Sequence, residues 1–128
     1  MPFINIKTNV KKDEKVKENI VKKVLENTSN ILHKDPRVTS ILVEFLPFET
    51  WNINTENKNT FYLDIKITKG TNTKEEKAKY IEKTYKELKE ILGDISPASY
   101  VLIDEVDASS WGFDGSTQEY RYIQSKIK

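Results

Sequence analysis

VEFLPFETW at residues 43–51 and IDEVDASSW at residues 103–111 decide the reading of the chain: in each, an acidic strand runs into a tryptophan, and Trp51 and Trp111 stand sixty residues apart. The strand openings repeat too, since Ile4-Asn5-Ile6-Lys7 matches Leu63-Asp64-Ile65-Lys66 at an offset of 59. A period of this size marks a duplicated supersecondary unit. Around these anchors the apolar spacing is regular. Phe3 to Thr8 and Phe61 to Thr68 alternate apolar and polar residues, the pattern of strands with one buried face. Val38 to Leu46 and Tyr100 to Val106 are further strands, the former with Ile41, Val43 and Phe45 on one side and Leu42 and Leu46 on the other. Between the members of each strand pair the period changes to three and four. Val16, Ile20, Val21, Val24, Leu25, Thr28, Ile31 and Leu32 form one helical stripe, with Asp13 at its start; Ala78, Ile81, Tyr85, Leu88 and Leu92 form a second. Thr73 and Glu76 make a capping box for that second helix, and Gly93 terminates it.

Two βαβ units in tandem follow from this order, residues 2–57 and 61–115, with 116–128 as a short tail. The predicted fold class is α+β, a two-layer βαββαβ sandwich in which a four-stranded mixed sheet carries both helices on one face. Parallel pairing within each unit requires a crossover, which the helix supplies. The other sheet face, bearing residues such as Leu42 and Leu102, then needs a cover, and self-association is the economical one. Residues 47–60 read as a loop, with Trp51 its large exception. WGFDG at 111–115 reads as a tight turn, in which Gly112 and Gly115 present Trp111 without forming a phosphate loop.

Composition limits the chemistry. The 128 residues, 37% of them hydrophobic, suit one domain with its own core. A net charge of +1 offers no basic field for nucleic acid. No cysteine and a single histidine, His33, leave no metal site or thiol nucleophile to expect, and make a serine triad improbable. His33 closes the first helix, where a cation favours the C-terminal dipole. No apolar run is long enough for a signal segment or a membrane span, so a soluble cytoplasmic protein is the expectation. Pro2 stands out against this scarcity. Removal of Met1 would free a secondary amine with an ordinary pKa of about 8, lowered by apolar surroundings or nearby cations, able to act as a base or a nucleophile at neutral pH.

MPFINIKTN at the start, the sixty-residue βαβ repeat and EVDASSWGFDGSTQEYR at 105–121 together resemble the tautomerase superfamily, the group of 4-oxalocrotonate tautomerase and macrophage migration inhibitory factor. The resemblance spans essentially the whole chain and is nearest in length to the fused members of about 130 residues. It implies a cofactor-independent isomerase, usually trimeric when two units are fused, in which the N-terminal proline, here Pro2, moves a proton between carbon and oxygen of a small anionic keto or enol acid. Only the first unit opens with proline; Phe61 opens the second. Trp51 and Trp111 occupy the aromatic positions that wall the proline pocket in the family. Arginines that hold the substrate carboxylate in relatives are replaced by Lys11 and Lys12 after the first strand and by Lys69 in the second unit, while Ser40 and Tyr100 open the later strands. Lysine lacks the planar fork of arginine. Lys12, Lys69 and Arg37 are therefore the candidate cations, and Tyr100 a candidate donor to a substrate oxygen. Glu44, Asp104 and Glu105 are possible water-activating groups. Two alternatives accompany this reading: a proline-dependent hydratase, dehalogenase or decarboxylase of a three-carbon acid, and a non-catalytic trimeric binding protein of the same fold.

Overall fold

The computed structural model describes residues 2–127. Its elements are β1 (Phe3–Thr8), α1 (Glu14–Asn30), β2 (Ser40–Phe45), β3 (Asn52–Ile53), β4 (Glu56–Asn57), β5 (Phe61–Thr68), α2 (Lys74–Leu92), β6 (Tyr100–Val106), β7 (Gly112–Phe113), β8 (Ser116–Thr117) and α3 (Gln118–Ile127). The main sheet has the order β2-β1-β5-β6. β1 pairs in parallel with β2, setting Ile4 beside Ile41, and β5 pairs in parallel with β6, setting Ile65 beside Ile103. The two units meet through antiparallel β1 and β5, with Ile4 opposite Ile65. Antiparallel apposition turns the units head to tail, so the start of β1 lies at the end of β5.

Each element is set by local chemistry that recurs about sixty positions later. Asp13 caps α1 by accepting from the Lys15 and Val16 amides, and Thr73 caps α2 in a full capping box with Glu76. Gly93, at φ 91°, stops α2 where a side chain would be strained. The odd residues Phe61 to Ile67 and the even residues Ile4 and Ile6 are fully buried, because both sets face the helices. Ile20 and Val24 of α1 and Tyr80 and Leu88 of α2 meet them in one core. Burying each such side chain contributes about 1.5–3 kcal/mol. Between the helices the buried Asn27 is satisfied: it donates to Thr84 Oγ1 at 3.2 Å and Glu87 Oε1 at 2.7 Å, which ties α1 to α2.

The second sheet face carries Leu42, Tyr100 and Leu102, all exposed, around a polar centre. There Lys66 donates to Asp104 at 2.9 Å and to Asp64 at 3.2 Å, and Asn5 donates to Glu44 at 2.9 Å. Three sequence expectations change. The 47–60 segment contains a hairpin, β3–β4, turned at Asn54 (φ 58°), the counterpart of β7–β8, which turns at Asp114 and Gly115. Gly112 is required there, since a Cβ would collide with the Ser116 carbonyl. The tail is a third helix, α3, which packs on the Ala108–Ser110 turn and on β8. His33 lies beyond α1 in a left-handed conformation (φ 59°), and its Nε2 sits 3.2 Å from Glu76 Oε2, so it ties the chain after α1 to the first turn of α2.

Candidate active site

Pro2 is buried at the start of β1, where its carbonyl accepts from the Ser40 amide at 3.2 Å. Met1 lies outside the described residues. Strand alternation puts the Pro2 ring on the helix-facing side with Ile4 and Ile6. The antiparallel register, with Phe3 opposite Lys66, brings the end of β5 to the same place. The turn after β5 is anchored to the turn after α1. Lys34 Nζ donates to Thr71 Oγ1 at 2.7 Å, Thr71 Oγ1 donates to the Thr68 carbonyl at 2.6 Å, and Asn72 donates to the Leu32 carbonyl at 2.9 Å.

This sheet end is electrically structured. Partial burial lowers the pKa of the Lys34 ammonium, an effect opposed by Glu76 and Glu105. Glu105 accepts from Lys77 at 2.9 Å, and that bond holds its carboxyl below the usual range. Glu76 is likewise lowered, first by the Thr73 amide and then by Asn72. Beside them is a cavity of about 650 Å³ between the 68–71 turn and α3, lined by Lys34, Lys69 and Arg121 together with the carboxylate Glu119. Arg121 stacks 4.0 Å above the Phe113 ring and donates one Nη2 hydrogen to the Phe113 carbonyl at 2.8 Å. Among the described residues, the buried side-chain polar atoms without a hydrogen-bond partner are Thr68 Oγ1 and Arg121 Nε.

The candidate residues divide between the two ends of the sheet. Pro2, Lys69, Arg37 and Trp111 belong to the end just described. Lys69 is exposed on the cavity wall, its amide donating to the Val106 carbonyl at 2.8 Å. Arg37 is turned outward and doubly bonded to Asp35, at 3.1 Å from Nε and 2.9 Å from Nη2. Lys12, Trp51 and Tyr100 lie at the opposite end of the same protomer, because β1 runs away from Pro2 and Tyr100 pairs with Tyr62 at the start of β5. Lys12 lines a separate cavity of about 640 Å³ with Phe45 and Phe48. That hollow is the counterpart of the first in the repeat. Sequence reasoning passed over Lys34, Thr68 and Arg121. Lys34 stands immediately before the Asp35-Pro36 breaker, and Arg121 is one of only two arginines in the sequence, so both carried a signal.

The fold defines a class: two fused βαβ units sharing one mixed sheet. The family model described as Tautomerase enzyme matches residues 62–119. No curated protein sequence matches the chain. Three solved structures are similar over most of their length. Pt0534 inactivated by 2-oxo-3-pentynoate has a TM-score of 0.85 at 12% identity, covering 93% of this chain and 98% of that one. The fused 4-OT F6, an asymmetric trimer, has a TM-score of 0.84 at 13% identity, with the same coverages of 93% and 98%. A macrophage migration inhibitory factor-like protein from Entamoeba histolytica has a TM-score of 0.77 at 20% identity, covering 91% and 97%. The second unit thus matches the Tautomerase family model, and the whole chain shares the fold of these fused and macrophage migration inhibitory factor-like structures.

Proposed function

We propose that this protein is a cofactor-independent tautomerase in which Pro2, freed by removal of Met1, is the proton-transferring base and acid for a small 2-oxo or 2-hydroxydienoate acid. The observation that carries the reading is the burial of Pro2 at a sheet end furnished with cations. Burial disfavours the charged form of an amine, so a freed Pro2 nitrogen in this position favours the unprotonated state that can take a proton from carbon. The same cations stabilise the enolate that forms, and the resulting prolinium returns the proton to the other terminus of the system. That a relative of this fold is inactivated by 2-oxo-3-pentynoate, itself a small 2-oxo acid, supports the substrate class.

The fused 4-OT structures of the same fold are trimers, and the division of candidate residues between two ends suits such an assembly here, with the Lys12, Trp51 and Tyr100 end of one protomer closing on the Pro2 end of another. The test begins with mass spectrometry of protein bearing its native N-terminus, which is expected to start at Pro2. Ketonisation of phenylenolpyruvate is then compared with that of Pro2→Ala. A loss of at least about a hundredfold is expected, the lower range for removing a general base; unchanged turnover rejects the proline mechanism. Turnover of 3-haloacrylates in preference to enols would favour the hydratase and dehalogenase alternative.

A further inference from the structure

We infer that the outward face of α3 docks on a second copy of this chain, entering the hollow at its Lys12 end, so that each protomer of a ring holds the next by its C-terminal helix. The inference rests on the trimeric assembly proposed above and goes beyond it by naming the contact. Two unmatched surfaces carry it. The first is α3 itself. At about 100° per residue, Tyr120, Ile123 and Ile127 share one side of the helix, while Gln118 and Arg121, both half-buried against the rest of the chain, stand on the other. An amphipathic helix normally turns its apolar stripe toward its own domain. Here the stripe points away, with Ile123 48% and Ile127 68% exposed.

The second surface is the hollow beside Val10, Lys12, Phe45 and Phe48. Sixty residues on, its counterpart is the cavity at the 68–71 turn, where Ala108 corresponds to Phe48 and Thr71 to Lys11. In the second unit α3 roofs that cavity, adding Gln118 and Tyr122 to its wall. In the first unit Lys58 to Thr60 lead directly from β4 into β5, which leaves no length of chain for such a roof. The hollow therefore stays open, with Phe48 44% exposed. The chain's own α3 cannot cover it, because that helix packs on the Ala108–Ser110 turn at the opposite end of the sheet. An open hollow at one end and a free apolar stripe at the other form a heterologous pair, the kind of contact that generates a ring. Charge agrees with the fit. Glu119 and Lys126 flank the stripe two turns apart, while the hollow has Lys11 and Lys12 on one lip and Glu49, next to Phe48, on the other, so one orientation of the helix sets opposite charges together at both ends.

The test exploits a sequence without cysteine. Full-length protein carrying Phe48→Cys and Ile123→Cys, both at exposed positions, is treated with a short bis-maleimide and resolved on a denaturing gel. The two positions lie at opposite ends of one chain, so a link between them joins neighbours. Chains linked up to a covalent trimer are expected, while either single variant stays at the background of random encounters. Linkage no greater than in the single variants overturns the docking, and so does an equal yield of self-linked dimer from Ile123→Cys alone, which marks a contact between two α3 helices. In sedimentation velocity, Ile123→Glu is expected to raise the concentration for half-dissociation at least about tenfold, the effect of losing one buried isoleucine. Wild-type protein that remains monomeric overturns the inference, whether α3 stays bare or enters anionic vesicles. Adding Pro2→Ala to the cysteine pair separates docking from catalysis: linked trimers with unchanged ketonisation reject the proline mechanism alone, and trimers that form without linkage reject the α3 contact alone.

Discussion

At the scale of single residues, the cation at the proline end with the most informative titration is Lys34. Its lowered pKa, set by partial burial, means that it loses its charge at a lower pH than an exposed lysine does. If that ammonium attracts an anionic substrate, kcat/KM falls as pH rises through the alkaline range, with most of the change in KM. Lys34→Arg keeps its charge to far higher pH, so the alkaline fall in its pH-rate profile is expected to disappear or move upward. A wild-type profile flat to about pH 10 would dissociate Lys34 from substrate binding. Residue identity alone did not single out Pro2, because a proline after an initiator methionine is common; the βαβ repeat around it gave the position its meaning. Arg121 could not be read the same way. Its importance comes from a stacking partner, Phe113, and from a cavity whose other wall lies fifty residues earlier in the chain.

Among elements, α1 and α2 are joined by buried polar bonds as well as by apolar packing. Tyr80 on α2 lies within 2.9 Å of Thr28 on α1, and burial raises its hydroxyl pKa to about 12. In the unfolded chain that hydroxyl titrates near its ordinary value of about 10. Between these two values the unfolded state releases its proton first, so stability falls as pH rises across the interval. Denaturant midpoints at about pH 9 and about pH 11 are expected to diverge in the wild-type protein and to converge in Tyr80→Phe, apart from background titration common to both. The helices and long strands were legible because their signals are local: capping at Asp13 and Thr73, strict alternation from Phe61 to Thr68, a glycine stop at Gly93. The β3–β4 hairpin escaped notice since Asn54-Thr55 is a weaker turn signal than Asp114-Gly115, though the two stand sixty residues apart. Helix α3 escaped for another reason. Tyr120, Ile123 and Ile127 do step along one side, but they are exposed, and the helix is held chiefly by Arg121 and the neighbouring turn.

For the whole molecule, the exposed sheet face is the feature to explain. Leu42, Tyr100 and Leu102 surround the Lys66–Asp64–Asp104 cluster, an arrangement suited to an interface with an apolar rim and a polar centre. In a trimer built on this face, Leu102→Glu buries an unpaired carboxylate and is expected to shift the protein to monomers in sedimentation velocity. A Leu102→Glu protein that sediments like the wild type removes this face from the interface. Dissociation is also expected to lower turnover with the Pro2 amine intact, because Lys12, Trp51 and Tyr100 leave the neighbouring site. The duplication itself was plain from the tryptophan spacing, whereas the proposed sharing of ends between protomers rests on β1 and β5 running in opposite directions, which no local pattern in the sequence carries.

That opposition has a consequence for stoichiometry. A free proline amine exists only where a polypeptide begins, so on the proposed mechanism joining two units by a peptide bond leaves one reactive end per chain and makes the other an internal junction. Phe61 fills that junction, fully buried against Tyr85 at a centroid distance of 5.6 Å. A trimer of such chains has three reactive centres where six unfused units would have six. The three silenced ends are released from the need to start a chain, and their hollows beside Lys12 are free to acquire sequence, and ligands, of their own.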